Sequence, residues 1–151
     1  MGPTNMIVRK AKTTDAAEAI SVIRLSISKL CVADHKNDAS ELSGWLSNKT
    51  LTQWVQWLGR EDAILLVLEK GNKLLGVGMI DHQGEILLNY VHPDNRLTGV
   101  SKTLLTALEE EARALGLTSC FLKSTITAAK FYQSCGYVQG SAARLELEKQ
   151  L

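Results

Sequence analysis

Val91-His92-Pro93-Asp94-Asn95-Arg96-Leu97-Thr98-Gly99-Val100-Ser101-Lys102 joins a stretch of strand type, Glu85 to Val91, to the clearest helix of the chain. Downstream, Gly99 to Leu115 repeats apolar side chains at Val100, Leu104, Leu105, Leu108 and Ala112. This pattern places Glu109, Glu110 and Glu111 toward water and closes at Gly116. A short strand, Ser119 to Lys123, follows, so the unit reads strand, helix, strand and calls for a parallel pair. A strand that feeds a helix through a glycine-containing turn leaves N–H groups unpaired at the positive end of the helix dipole, where phosphate oxygens fit. Charge-assisted bonds to such amides contribute about 1.5–3 kcal/mol each, and Arg96 and Lys102 add point charge. Taken alone, a glycine at a helix start also reads as an ordinary helix start. The chain contains neither G-x-G-x-x-G nor G-x-x-x-x-G-K-[ST], which removes the dinucleotide and P-loop readings.

Outward from this unit, Ile64 to Glu69 and Lys73 to Ile80 flank the turn Lys70-Gly71-Asn72, and Gln83-Gly84 precedes Glu85 to Val91, which gives a three-strand meander. Before it, Asn5 to Arg9 reads as a strand. Thr13-Thr14-Asp15 then offers capping side chains to a helix patterned at Ala19, Ile20, Ile23 and Ile27. A polar stretch from Ala33 to Ser40 separates that helix from a Trp-bearing one, Leu51 to Leu58, preceded by a helical turn at Leu42 to Leu46. After Lys123 come a helix from Thr127 to Ser134, ended by Gly136, and a strand pair, Tyr137 to Gln139 and Ala143 to Glu148. The expected class is α/β, or α+β by looser naming. It is one domain with a mixed, mostly antiparallel sheet of about six or seven strands and helices on both faces.

Composition narrows the partners. The chain has 151 residues, 17 basic against 16 acidic, for a net charge of +1. No global field points to nucleic acid or an anionic membrane, so an anionic ligand must be captured locally. Cys31, Cys120 and Cys135 form no C-x-x-C pair, and an odd count argues against a disulfide framework. A cytoplasmic location is expected. The longest strongly apolar run, Ala63 to Leu68, is far short of the roughly 20 residues that span a bilayer.

The loop from Val91 to Lys102 resembles the GNAT acetyltransferase signature V-x-P-x-x-[QR]-x-x-G-x-[GA], and Phe131-Tyr132-Gln133-Ser134-Cys135-Gly136-Tyr137 is similar to that family's [FL]-Y-x-x-x-G-[FY] element. The resemblance covers nearly the whole chain in order. It departs at Ser101, where the family usually has Gly or Ala, and at Thr125, where it often has Asn. A Ser at the helix start keeps its backbone N–H, whereas Thr offers a hydroxyl in place of an amide's two-ended contact.

The resemblance implies acetyl-CoA as co-substrate, an N-acetyltransferase reaction and no metal. It also implies that Tyr90 and Val91 offer main-chain groups to the acyl-pantetheine arm. Leu97, Thr98, Gly99, Val100, Ser101 and Lys102 cradle the pyrophosphate beside Arg96. Thr125, Ala128, Lys130 and Phe131 border the cofactor's path, and the Tyr132 phenol protonates the departing thiolate.

Acyl transfer to an amine needs the amine uncharged. An alkyl amine of pKa about 10.4 is neutral in roughly one molecule in 2,500 at pH 7, a handicap of about 4.6 kcal/mol. A base or a desolvating pocket has to meet it. Where many relatives carry Glu, this chain has Asn89, which cannot accept the proton. The candidate bases are Asp34, His35 and His92, with His82 read as solvated surface. Cys31, Asp34 and His35 read either as recognition of a polar acceptor or as a capped helix end with a buried thiol. Trp45, Trp54 and Trp57 read as core, as a homodimer contact, or as a wall for a small amine. The acceptor expected is a primary amine of a small molecule or peptide. The alternative function is a catalytically silent CoA-sensing module. Acetylation of aminoacyl-tRNA would ask for a basic surface that the composition does not suggest.

Overall fold

The computed structural model describes residues 6–95, 98–125, 128–139 and 146–151. Its strands are β1 (Met6–Lys10), β2 (Ala63–Lys70), β3 (Lys73–Asp81), β4 (Glu85–Val91), β5 (Ser119–Lys123), β6 (Val138–Gln139) and β7 (Glu146–Gln150). They form a seven-stranded sheet in the order β1-β2-β3-β4-β5-β7-β6. Every neighbouring pair is antiparallel except β4 and β5. That parallel pair exists because α5 (Val100–Ala114) crosses one face and returns the chain in the same direction.

The two faces carry separate cores. On one, Leu104, Leu105 and Leu108 of α5 pack against Leu66, Leu68, Ile80 and Ile86, together with Tyr132 and Tyr137. On the other, α1 (Ala16–Leu30) buries Ala19, Ile20, Ile23 and Ile27 against Val67, Val77 and Leu88. The same core takes in Trp54 and Trp57 of α4 (Leu51–Leu58). The Trp54 indole is fully buried and donates to the Lys12 carbonyl at 3.0 Å. The structure therefore places these two tryptophans in the core.

Polar groups fasten the layers. Arg9 on β1 makes a two-pronged ion pair with Asp15, 2.9 Å on each side, and a third bond to Glu69 on β2 at 3.0 Å. Asp15 also accepts from the Lys12 N–H at 2.8 Å, and Glu18 accepts from the Leu74 N–H at 2.8 Å, so the start of α1 is tied to three strands.

Three expectations change. Between Cys31 and Ser47 the chain forms α2 (Val32–His35) and α3 (Ala39–Leu46) rather than a polar separator and one turn. Lys36 and Asn37, both left-handed at φ of 55° and 56°, turn the chain between them, and Asp38 caps α3 by accepting from the Glu41 N–H at 2.9 Å. The polar residues there serve helix ends. Glu109 does not face water: it is 4% exposed, accepts from Tyr137 Oη at 2.8 Å and from Lys149 Nζ at 3.2 Å. It lies one turn beyond Leu105, on the face that packs down. The last strand extends to Gln150, in register with β5 from Ser119↔Gln150 to Lys123↔Glu146, and the expected start at Ala143 lies outside the described residues.

Arg9 holds the Asp15 carboxyl below the usual carboxylate range, chiefly by its direct hydrogen bonds. A depressed native pKa contributes stability that is complete above the ordinary range and is lost as pH falls through the lower native value. Asp15→Asn is expected to cost about 1–3 kcal/mol at neutral pH. The gap from wild type should close as pH drops below about 4, as read by thermal unfolding across that range. A gap independent of pH would assign the loss to packing.

Candidate functional site

The site begins where two strands part. β4 and β5 pair only at Glu85↔Phe121 and Ile86↔Leu122. Gly84 fixes this origin. Its φ is +99°, its carbonyl accepts from the Phe121 N–H at 3.0 Å, and a Cβ there would stand 2.7 Å from the Ser119 carbonyl oxygen. Beyond Ile86, residues Leu88–Val91 keep β3 on one side, and no pairing with β5 continues on the other. A cavity of about 610 Å³ occupies the gap, a size suited to a small-molecule ligand.

A bulge decides which side chains enter it. In the β3–β4 ladder, Met79 faces Leu88 and Ile80 faces Ile86, so Leu87 is an extra residue. Ile86 therefore joins the α5 core while Leu88 joins the α1 core. Asn89, opposite Gly78, then shares the α5 face, and Tyr90, opposite Val77, turns toward α1.

On its face, Asn89 Nδ2 donates to Tyr132 Oη at 3.3 Å, while Asn89 Oδ1 is buried without a hydrogen-bond partner. Tyr132 comes from α6 (Ala129–Ser134) and is 7% exposed, edge-on to Phe131 at 5.2 Å and to Tyr137 at 5.7 Å. Burial pushes its phenol up to about 12, and burial does the same to Tyr90. The Cys31 thiol, also at the cavity, is pushed up to about 11, again mainly by burial. Burial thus favours the neutral form of these three groups at neutral pH.

Gly99, Ser101 and Lys102 line the end of the cavity at α5. The N–H groups of the first turn of α5, Val100 to Lys102, have no intrahelical carbonyl to bond, and Gly99 supplies no side-chain cap. Gly99 has φ of +88° and open space where a Cβ would sit. Val100 turns its own side chain into the core. Thr98 does not border the cavity, and its N–H already donates to the Asn95 carbonyl at 3.3 Å. Arg96 and Leu97 lie outside the described residues. Tyr90, Val91, Thr125 and Ala128 do line the cavity, with Thr125 Oγ1 accepting from the Ala128 N–H at 3.1 Å at the turn into α6.

None of the three expected bases borders this space. His35 is 1% exposed. Its Nε2 donates to the Ile27 carbonyl at 2.9 Å, its Nδ1 accepts from the Asn37 N–H at 3.1 Å, and its ring stands edge-on to Trp45. Both nitrogens are committed, so the imidazole bolts α2 to the end of α1 and is not a proton acceptor for a substrate. His92 Nδ1 accepts from the Asp94 N–H at 3.1 Å, outside the cavity lining, and Asp34 also lies off it. Ser26, which no expectation names, lines the cavity from the end of α1 together with Leu30 and Cys31. Its signal was a serine one step from Ile27, inside the apolar stripe of that helix.

A family model for an acetyltransferase (GNAT) domain matches residues 31–146. No match is found among curated proteins. Among solved structures, the fold is similar to a GCN5-related N-acetyltransferase from Rhodopseudomonas palustris, with a TM-score of 0.86 and 22% identity over 100% of this chain and 99% of that one. It is equally similar to the PaiA N-acetyltransferase of Thermoplasma acidophilum, solved with coenzyme A, at a TM-score of 0.86 and 19% identity over 97% and 99%. A GNAT family acetyltransferase from Brucella melitensis, solved with acetyl-CoA, follows at a TM-score of 0.66 and 16% identity over 98% and 89%. At these identities the likeness is one of fold.

Gly84→Ala tests the origin of the gap. The left-handed backbone and the contact with the Ser119 carbonyl are expected to cost about 1–3 kcal/mol, read by denaturant unfolding. A variant as stable as wild type would remove Gly84 as the fixed point of the β4–β5 pair.

Proposed function

Because this chain belongs to the GNAT acetyltransferase family, we propose that it moves an acetyl group from acetyl-CoA to a primary amine of a small molecule or peptide, by direct attack in a ternary complex. The observation that carries the reading is the Tyr132 phenol, buried at the gap between β4 and β5 and bonded by Asn89.

The residues present fit the co-substrate. The unpaired edge of β4 at Tyr90 and Val91 offers main-chain groups to an extended pantetheine arm, as a further strand would. Amides of Val100, Ser101 and Lys102 offer donors to a pyrophosphate, and the open space over Gly99 lets phosphate oxygens approach the backbone. Lys102 adds charge at the same end. Acetyl-CoA supplies an activated acyl group whose leaving thiol is a moderate acid.

Tyr132 supports the proton inventory. Its raised pKa keeps the phenol protonated at neutral pH, so it has a proton to give to a departing thiolate. The bond from Asn89 Nδ2 falls on the phenol oxygen, which leaves the O–H free to point into the gap and steadies the oxygen when its proton has gone.

Acetyl-CoA is expected to bind with micromolar affinity, and pantetheine, which lacks the pyrophosphate, far more weakly. Calorimetry giving equal affinities would overturn the α5 amides as the phosphate site. Tyr132→Phe keeps shape and burial but loses the donor. Turnover with an accepted amine, followed by thiol release, should fall about ten- to a thousand-fold with little change in acetyl-CoA affinity. A Phe variant with wild-type turnover would take Tyr132 out of the mechanism.

A further inference from the structure

The bulge at Leu87 leaves a second phenol beside the gap. Tyr90 follows Asn89 on β4, so its side chain leaves the sheet on the opposite face and packs into the α1 core, while Tyr132 belongs to the α5 core. Both line the one cavity. On its side Tyr90 meets the wall made by Ser26, Leu30 and Cys31 at the end of α1, and it stands within electrostatic range of both Cys31 and Tyr132. Among the described residues, Asn89 Oδ1 is the one fully buried polar side-chain atom without a hydrogen-bond partner. The hydroxyls of Tyr90 and Ser26 are not bonded within the protein either, so both keep surface open to the cavity they line. Acetyl-CoA uses neither, since the reading above gives it the main chain at Tyr90 and Val91, the first turn of α5 and the α6 side.

Resting on the acyl-transfer reading above, we infer that two phenols divide the two proton transfers between the faces of the sheet. Tyr132 gives its proton to the departing sulfur, and Tyr90 is a second catalytic residue that carries the amine's proton out on the α1 side, past Ser26. A hydroxyl both donates and accepts, so its oxygen takes one proton while its own passes to the next oxygen. Such a relay holds no charge at any stage, which suits a wall where burial keeps Tyr90 and Cys31 neutral. One phenol could not serve both transfers, because Tyr132 must still hold its proton when the nitrogen sheds one. The step balances. The lone pair of the neutral amine forms the bond to the thioester carbonyl carbon, which leaves the nitrogen cationic and acidic. Its proton passes to Tyr90 Oη as the Tyr90 proton moves by way of Ser26 or water to solvent. The carbon–sulfur bond then breaks, sulfur takes the Tyr132 proton, and the Tyr132 phenolate regains one from solvent.

The test takes a diamine, an aralkylamine, an amino-acid amide and a short lysine peptide with acetyl-CoA, by thiol release, and carries the fastest forward, with acetyl-CoA affinity measured in the same preparations. Tyr90→Phe keeps the ring in the α1 core and removes the hydroxyl alone. It should lower kcat about ten- to a hundred-fold, with the KM for the amine and the acetyl-CoA affinity within about twofold of wild type. Because the nitrogen's proton then leaves slowly, deuterium oxide should slow Tyr90→Phe more than wild type, a response that loosened packing does not produce. Joined to Tyr132→Phe, the two losses should multiply, as they do for separate protons. Ser26→Ala should lose turnover in the same way by a smaller factor, and wild-type kcat in that variant overturns its place in the route. Wild-type kcat in Tyr90→Phe, a loss confined to KM, an isotope effect equal to that of wild type, or a double variant no slower than Tyr132→Phe alone overturns this inference, while turnover of the amine keeps the broader reading. Wild-type protein that acetylates none of these amines overturns the broader reading, and this inference with it.

Discussion

Two residue pairs hold β4 to β5, and the site depends on their being only two. A sheet that paired these strands along their full length would satisfy the backbone of β4 within the protein and leave no cavity. Because pairing stops after Ile86↔Leu122, the remaining edge of β4 must find hydrogen bonds elsewhere, and a buried edge without them is costly. An extended ligand arm is one solution. The crossover helix α5 contributes the second half, since its first turn presents unbonded amides at the same opening.

The parting of the strands would accomplish little without the bulge at Leu87. Strand side chains alternate strictly, so a single extra residue exchanges the faces of everything that follows. That exchange brings Asn89 to Tyr132 and sends Tyr90 to the α1 side. Both faces of the sheet then contribute to one cavity, with Ser26, Leu30 and Cys31 from one and Phe131 and Tyr132 from the other.

Two part-buried polar clusters, each built on a buried carboxylate, keep these elements in place from opposite ends. Arg9, Asp15 and Glu69 tie the start of α1 to β1 and β2. Glu109, Tyr137 and Lys149 tie α5 to β7 and to the segment after α6. Each would cost more unpaired than it contributes paired, so each enforces one arrangement of its layers. Of the described helices, none is long and apolar enough to cross a membrane, and the amphipathic ones spend their apolar faces on the sheet.

Local pattern was enough to place β2 through β5 and α5, because apolar spacing at periods near two and 3.6 and glycines at turns act within a few residues. The uncapped helix start at Gly99 and a tyrosine near the helix-ending Gly136 were legible for the same reason, since both are local arrangements. The polar residues were a different matter. Glu109 read as solvated, His35 as a base and Asn89 as a mere absence. Their roles depend on Tyr137, Lys149, Ile27, Tyr132 and the register of β3 on β4, groups from 8 to 43 residues away. A hydrogen bond between distant segments leaves no period in the sequence, so only the packed sheet, with its bulge and its early parting, decided which polar atoms were buried, bonded or left open.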